Sequence, residues 1–446
     1  CYAADRTGNM ILQTLYQQCV KNDVQFFNEY QVVDVMLDGT TIQGVVTFDL
    51  SSGEIQIFKA KAVLFATGGF GRMFKITSNA LANTGDGPAI LARAGIPMED
   101  MEFFQFHPTG ILNMGILITE GVRGEGGILK NREGERFMER YAPTMLDLAP
   151  RDMVSRAIMT EIADGKGMRG DRKIDDYVML DASHLGREKV ESRLPDIADF
   201  CKTYLGIDPA EEPMPVQPTA HYAMGGIPTD VDGRVDTGTQ VYDGLYAAGE
   251  CACVSVHGAN RLGTNSLVDL IVYGRRAGKH IAEYVQNAKA PKVPEGADER
   301  ARKMIEGLKS RKQGHHPGPL YKKMQESMMS KVGVYREQAA MEEAVQEIQA
   351  LRDDFKEVSV ETSAENFNAE VLHVLELENL LDLSLITAAS AANRTESRGA
   401  HSRKDFPERD DEAWLKHTLA YLKEGEVSID YKKVDTSIWE PKPRVY

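Results

Sequence analysis

His, Arg, Thr and Glu side chains recur among glycines in two blocks of this chain. HPTG (107–110) leads into LITEGVRGEGG (117–127), and HYAMGGIPT (221–229) leads into HGANRLGTNSL (257–267). Glycine permits positive φ and a close approach of backbone to a ligand. Arginine and histidine supply fixed donors for carboxylates, arginine in bidentate fashion. Four such donors, His107, Arg151, His221 and Arg261, are what a small site for an anion with two carboxylates needs. One such loop would be weak evidence, because glycine turns carrying a His or Arg serve structural ends in many folds. The repetition is what points to a site.

That chemistry has to work in an acidic chain. The 446 residues carry a formal net charge of −15, so no broad basic face is available to neutralise phosphates. Binding to nucleic acid or to an acidic membrane surface is disfavoured. An anionic substrate therefore needs a local positive pocket. With 42% hydrophobic residues the chain can bury more than one core, and its length suggests about two to four domains. Cys1, Cys19, Cys201, Cys251 and Cys253 form an odd set without the spacing of a disulfide framework, which suits a reducing compartment. Cys251-Ala-Cys253 is too tight for a zinc pair and reads as small buried residues after a strand, so no metal site is expected. There is no iron–sulfur cysteine run either, and electrons leaving this chain need another carrier. No apolar run is long enough to span a bilayer, so membrane contact would need a partner. The opening CYAADRTGNMILQTLYQQCV lacks a leader pattern and reads as a helix already under way, which suggests sequence before Cys1.

Periodicity supplies the elements that must position these residues. Gln25 to Phe65 is strand-like: VQFFNEYQVVDVML and TIQGVVTFDL flank Asp38-Gly39, and EIQIFKAKAVLFA follows Ser52-Gly53. AVLFA (62–66) runs into TGGFG, and a short apolar strand ending in glycines is how a buried parallel strand delivers backbone to a nucleotide. GLYAAGE (244–250) is a second such unit, ending in Gly249 and Glu250 and followed by a helical LVDLIVYGRRAGKHIAEYV. An acid at that place in a dinucleotide fold meets ribose or ribitol hydroxyls. Between the two units, RDMVSRAIMTEIADG has the spacing of an amphipathic helix opening near Pro150, inside what reads as an inserted domain. After the linker APKVPEGADE, helical periodicity continues to about Asn393, which predicts a bundle with Met324, Met328 and Met329 in its core and His315-His316 as a loop pair. The tail from Ser397 is polar and ends in strand-like EVSIDYKKV. The fold class expected is a multidomain mixture of α/β and α+β.

At these residues the chain resembles the flavoprotein subunit of succinate dehydrogenase and fumarate reductase, from Cys1 to Tyr446. QFHPTG, TEGVRGEGG, RDMVSRAI, HYAMGGIPT, HGANRLGTNSL and ESRGAHSRKDFPERDD arrive in family order with family-like spacing. The resemblance implies a discontinuous FAD-binding domain (1–102 and 220–286), an inserted capping domain (103–219), a helical domain (287–395) and a C-terminal domain (396–446). It finds no counterpart here for the family's N-terminal GxGxxG unit or for the histidine that carries covalent FAD. Carried over residue by residue, His221 and Arg261 clamp one substrate carboxylate while His107 and Thr119 hold the other. Arg151 moves the proton at the reacting carbon, and Glu120 and Arg123 connect it to solvent. Glu250 and the backbone of Ser266 and Leu267 lie along the flavin, Gly68 and Gly69 let the chain pass close by, and Asp86 of NTGDG sits near the other end of FAD.

The implied reaction is oxidation of succinate to fumarate with hydride transfer to FAD. Electrons then pass to an iron–sulfur subunit and, through it and a membrane anchor, to quinone. The implied place is peripheral, on the cytoplasmic face of a bacterial inner membrane or the matrix side of a mitochondrial one. Fumarate reductase is the alternative; L-aspartate oxidase and a non-catalytic fragment that keeps only a partner surface are further ones. The stretch from about Arg398, with His401, Arg403, Asp405, Arg409, Asp410 and Asp411, is expected to face the iron–sulfur subunit.

Overall fold

The computed structural model describes residues 6–170, 176–311 and 313–442; Cys1 lies outside them. After helix α1 (Thr7–Lys21), which buries no residue, the alternating segment forms an antiparallel meander of β1 (Tyr30–Asp38), β2 (Thr41–Asp49) and β3 (Glu54–Lys59). Gly39 turns the β1–β2 corner at φ 60°, the left-handed region that favours glycine. The apolar run before TGGFG is β4 (Val63–Phe65), and α2 (Asp86–Arg93) follows with Gly87 to Ala92 buried. β5 (Met98–Glu99) leads to β6 (Phe104–Ile111), buried along its whole length.

The middle of the chain holds α3 (Gly121–Gly124), β7 (Ile128–Lys130), α4 (Met138–Tyr141), α5 (Arg151–Ala163), β8 (Val178–Asp181), α6 (Arg187–Arg193), α7 (Pro195–Leu205) and β9 (Met214–Ala223). Four of these strands make an antiparallel sheet in the order β6-β9-β8-β7. Helix α5 lies against it: Ser155 Oγ donates to the Phe106 carbonyl at 3.0 Å, and Val154 and Ile158 pack with Ile111, Leu129 and Val216. The amphipathic spacing read from the sequence thus buries one face of α5 against the sheet.

β10 (Ile227–Pro228) pairs in parallel with β13 (Ala252–Cys253). Between them, β11 (Arg234–Asp236) and β12 (Val241–Ala247) complete a six-stranded sheet. Leu245, Tyr246 and Ala247 of β12 register in parallel with Val63, Leu64 and Phe65 of β4. The two apolar units ending in glycine, far apart in sequence, are therefore neighbouring strands pointing the same way. Cys251 and Cys253 are buried free thiols.

The rest is helical until the end: α8 (Asn265–Asn287), α9 (Glu299–Ser310), α10 (Pro317–Lys331), α11 (Gln338–Phe355) and α12 (Ala369–Asn393). α12 is apolar nearly all round and sits at the centre of the group, with Met324 and Met328 of α10 fully buried beside it. After the single turn α13 (Asp411–Trp414), the hairpin β14 (Lys416–Lys423) and β15 (Glu426–Lys433) adds to β5 through Leu419↔Glu99 and Ala420↔Met98. No helix among the described residues is long and apolar enough to cross a membrane.

One expectation is corrected at this level. His401 and Arg403, expected on a partner-facing surface, are 0% and 1% exposed. His401 accepts from Arg336 at Nδ1 (2.6 Å) and reaches the Arg394 carbonyl from Nε2 (3.1 Å). Arg403 grips Asp405 through two 2.7 Å bonds. Arg394, also fully buried, is held between Glu102 (2.6 Å) and Glu396 (2.9 Å). A charge-rich sequence looks solvated in one dimension; here opposite charges from sequence neighbours (Arg403 with Asp405, Arg394 with Glu396) and from the remote Glu102 neutralise one another inside.

Candidate active site

Alternation along β6 puts Gln105 and His107 on one face, because residues two apart in a strand share a side. The register slip opposite Gln105 and Phe106 brings His221 of β9 alongside, its ring centroid 5.3 Å from that of His107. Arg151 is the first residue of α5, Glu120 immediately precedes α3 and Arg123 lies within it. Arg261 sits in the loop before α8. Gln105 Oε1 accepts from both Arg151 (3.1 Å) and Arg261 (3.2 Å), so one neutral oxygen holds two guanidiniums together. Arg151 also donates from Nε to Glu120 at 2.9 Å. A cavity of about 530 Å³ is lined by Glu120, Arg151, Arg261 and Gly263. A Cβ at Gly263 would lie 3.3 Å from Glu120 and 3.5 Å from Arg151, so this loop packs against both side chains.

Three guanidiniums converge here, with Glu120, Asp147 and Glu250 as acidic groups that act on them. Burial, reinforced by the neighbouring Arg151, draws Arg261 down to about 10. Burial likewise draws Arg123 down to about 10, against the pull of Glu120. Both still carry charge at neutral pH. Burial, then Arg151, holds His107 and His221 well below the ordinary imidazole range, and both rings are neutral. The Thr109 backbone N–H donates to His107 Nδ1 at 3.2 Å, which places the ring proton on Nε2. That Nε2 is buried without a partner among the described residues, as are Arg261 Nε and Arg123 Nε and Nη2. Buried donors left unpaired are costly, and several of them in one cationic pocket specify an anion with many acceptor oxygens. Arg261 is further held over the Tyr222 ring, 4.5 Å from its centroid.

The second feature lies at the ends of β4 and β12. Gly68 takes φ 71°, and a Cβ at Gly69 would stand 2.4 Å from Glu250 Oε1. The glycine loop and the acid thus form one cradle that a side chain would fill. Glu250 accepts from the Ala223 N–H at 3.1 Å, and burial pushes its carboxyl up to about 7. Ser266 touches the cationic cluster, its hydroxyl accepting from Arg261 at 3.1 Å, and with Leu267 it forms the first turn of α8. Backbone free of side chains at Gly68 and Gly69 beside the Glu250 carboxyl offers donors and an acid to a closely approaching ligand, so the residues present suit the flavin of FAD.

The sequence-derived residues His107, Glu120, Arg123, Arg151, His221 and Arg261 are brought into one cluster; Thr119 adjoins it, its hydroxyl accepting from the Gly121 N–H at 3.2 Å. Arg123, read as linked to Glu120, donates instead to the Asp147 carbonyl at 2.5 Å, while Glu120 takes Arg151. Asp86 stands apart, but its helix abuts the end of β4: a Cβ at Gly87 would meet Thr67 at 2.7 Å and Phe65 at 2.9 Å. Residues that the sequence reading passed over include Gln105, whose signal was its place two before His107. Asn260, which accepts from Gln105 at 2.7 Å and donates to Asp152 at 2.8 Å, is another. Ser78, at 2.7 Å from His221 Nδ1, carried no local signal.

Comparison with known proteins agrees with this geometry. Residues 1–267 match the FAD binding domain family and residues 321–446 the family described as fumarate reductase flavoprotein C-term. The chain is 47% identical over 441 residues to the succinate dehydrogenase flavoprotein subunit of Rickettsia bellii, covering 97% of this chain and 74% of that one. Among solved structures, the Escherichia coli quinol fumarate reductase flavoprotein matches with a TM-score of 0.93 and 38% identity, over 100% of this chain and 78% of that one. Mycobacterium smegmatis Sdh1 in complex with UQ1 matches with a TM-score of 0.81 and 38% identity, over 96% and 73%. By these matches the chain belongs to the succinate dehydrogenase and fumarate reductase flavoprotein subunit family and is an FAD-dependent oxidoreductase of the succinate dehydrogenase type.

Proposed function

We propose that this chain oxidises succinate to fumarate, with the two substrate carboxylates held by the unpaired donors of the cationic cluster. His221 and Arg261 bind one carboxylate, and His107 and Thr119 bind the other. Two fixed ends align both methylenes, which is catalysis by proximity. Glu250, Gly68, Gly69 and the backbone of Ser266 and Leu267, with Asp86 toward the far end, would hold FAD, which when bound would supply the hydride acceptor for one methylene. Arg151 takes the proton from the other and returns it to solvent by way of Glu120 and Arg123. An arginine normally keeps its proton; a dry pocket crowded with other guanidiniums lowers the cost of giving it up. The observation that carries this reading is the single Gln105 oxygen bridging Arg151 and Arg261 beside two neutral histidines.

The domain reading belongs to the same proposal: 1–102 with 220–286 for the cofactor, 103–219 as cap, 287–395 helical and 396–446 C-terminal. Among the described residues, no group of cysteines with iron–sulfur spacing is present, which supports an iron–sulfur subunit as electron acceptor, with a membrane anchor and quinone beyond it. In that assembly the chain is peripheral to the membrane. The identity to the Rickettsia bellii subunit favours the oxidative direction. The test is spectroscopic. With FAD bound, anaerobic succinate should bleach the oxidised flavin absorption, and malonate should block the bleaching. Flavin that stays oxidised under excess succinate while fumarate reoxidises a reduced sample would assign the reverse reaction, and silence toward both would overturn the reading.

A further inference from the structure

We propose that Asn379, on α12, is a positioning residue for the cofactor, setting the orientation of the Asp86 carboxylate. It is remote in sequence from every motif of the site. The inference rests on the reading of Asp86 as a ligand of FAD and goes beyond it by asking what holds that ligand in place.

Asp86 opens α2 and is half-buried. Its Oδ1 accepts from Asn379 Nδ2 at 2.7 Å and from Thr84 Oγ1 at 3.0 Å. Its Oδ2 accepts nothing among the described residues, so one oxygen is anchored and the other is left for a ligand. The Asn379 amide is fixed in turn. Its Oδ1 accepts from Arg93 Nη2 at 2.6 Å, and a guanidinium has only donors, so the amide oxygen must face Arg93 and the NH₂ must face Asp86. Arg93 is the last residue of the helix that Asp86 begins, so a single amide straps both ends of α2 to α12. Arg93 continues to Asp382 (2.8 Å), and Asp382 to Arg352 (2.9 Å), which reaches the Gly425 carbonyl (2.7 Å) at the β14–β15 turn.

Asn379 and Asp382 are each 3% exposed on a helix whose other buried residues are mostly apolar. Polar groups buried there are costly unless fully paired, and a fully paired network holds one geometry. The cofactor-facing carboxylate is therefore oriented from the helical part of the chain and not only from its own loop.

The dissociation constant of FAD, read by flavin fluorescence titration, tests this with Asp86→Ala, Asn379→Leu, Asn379→Asp and the two double variants. Asn379→Asp keeps an acceptor for Arg93 but offers Asp86 no donor, so it carries the comparison should Asn379→Leu fail to fold. Either single change at 379 should weaken FAD by about tenfold with an unchanged far-UV circular dichroism spectrum. In the Asp86→Ala background neither change should matter by more than about twofold, because the effect runs through Asp86. A loss of equal size in that background, or no loss in the native one, overturns the proposal. If Asp86→Ala itself leaves FAD affinity unchanged, the reading of Asp86 fails, an outcome distinct from failure at Asn379.

Discussion

Arg151 and Arg261 share the Gln105 oxygen yet face different tasks, and substitution should separate them. Arg151→Lys should lower turnover by several orders of magnitude while malonate affinity stays within about tenfold, because proton transfer acts in the transition state alone. Arg261→Ala should instead weaken malonate and succinate by roughly 2 to 4 kcal/mol through loss of a charge-assisted contact. Equal loss of binding in both would place Arg151 in the clamp. Glu250 adds a pH signature. Its carboxyl rises from the ordinary 4.5 to about 7 in the folded chain, so the folded state holds a proton that the unfolded state has released. Stability from this group is present below pH 4.5 and is lost as pH climbs to about 7. In FAD-free chain, Glu250→Gln should flatten the urea-unfolding free energy across that window by at most about 3 kcal/mol; an unchanged slope would show that burial does not hold the proton. Of the six charged or imidazole members of the cluster, five were legible from the glycine-containing blocks that hold them and Arg151 from the RDMVSRAI motif. Gln105 and Asn379 were not, since an amide gains its meaning only from the two groups on either side of it, and those come from other parts of the chain.

Among the elements, periodicity read from sequence placed β1 to β4, α5 and α12 closely, because each buries one face or every face against a neighbour, and the residue pattern records that burial directly. The segment after Asn393 was misjudged for the opposite reason: its burial is of charges, and pattern alone assigns charges to solvent. Arg394 is 0% exposed between Glu102 and Glu396, themselves 0% exposed. Arg394→Ala would strip the buried Glu102 of its ion-pair partner and leave Glu396 with Arg398 alone, and it should destabilise the fold by about 3–5 kcal/mol in urea denaturation. Arg409→Ala, which removes a pair with the exposed Asp411, should cost less than about 1 kcal/mol. Similar midpoints for the two variants would mean that the interior network adds nothing. Truncation after Arg398 would remove His401 and Arg403 from the interior and unfold what remains, so contact with an iron–sulfur subunit is better probed by exchanging surface charges such as Arg409 and Asp410.

At the scale of the molecule, the feature that stands out is an apolar surface beside the cofactor cradle. α8 buries only Asp269 and Ala277, and it leaves Val268 at 53%, Ile271 at 44% and Val272 at 43% exposed, with Leu64 of β4 at 37% and Leu262 at 71% nearby. Monomeric proteins seldom leave contiguous apolar patches of this kind uncovered. Residues 1–446 expressed alone should therefore self-associate through the exposed face of α8. Size-exclusion chromatography with light scattering should show species larger than a monomer that shift toward monomer in Val268→Glu/Ile271→Glu. A native chain that runs as a monomer at the same concentration would show that this face needs no cover.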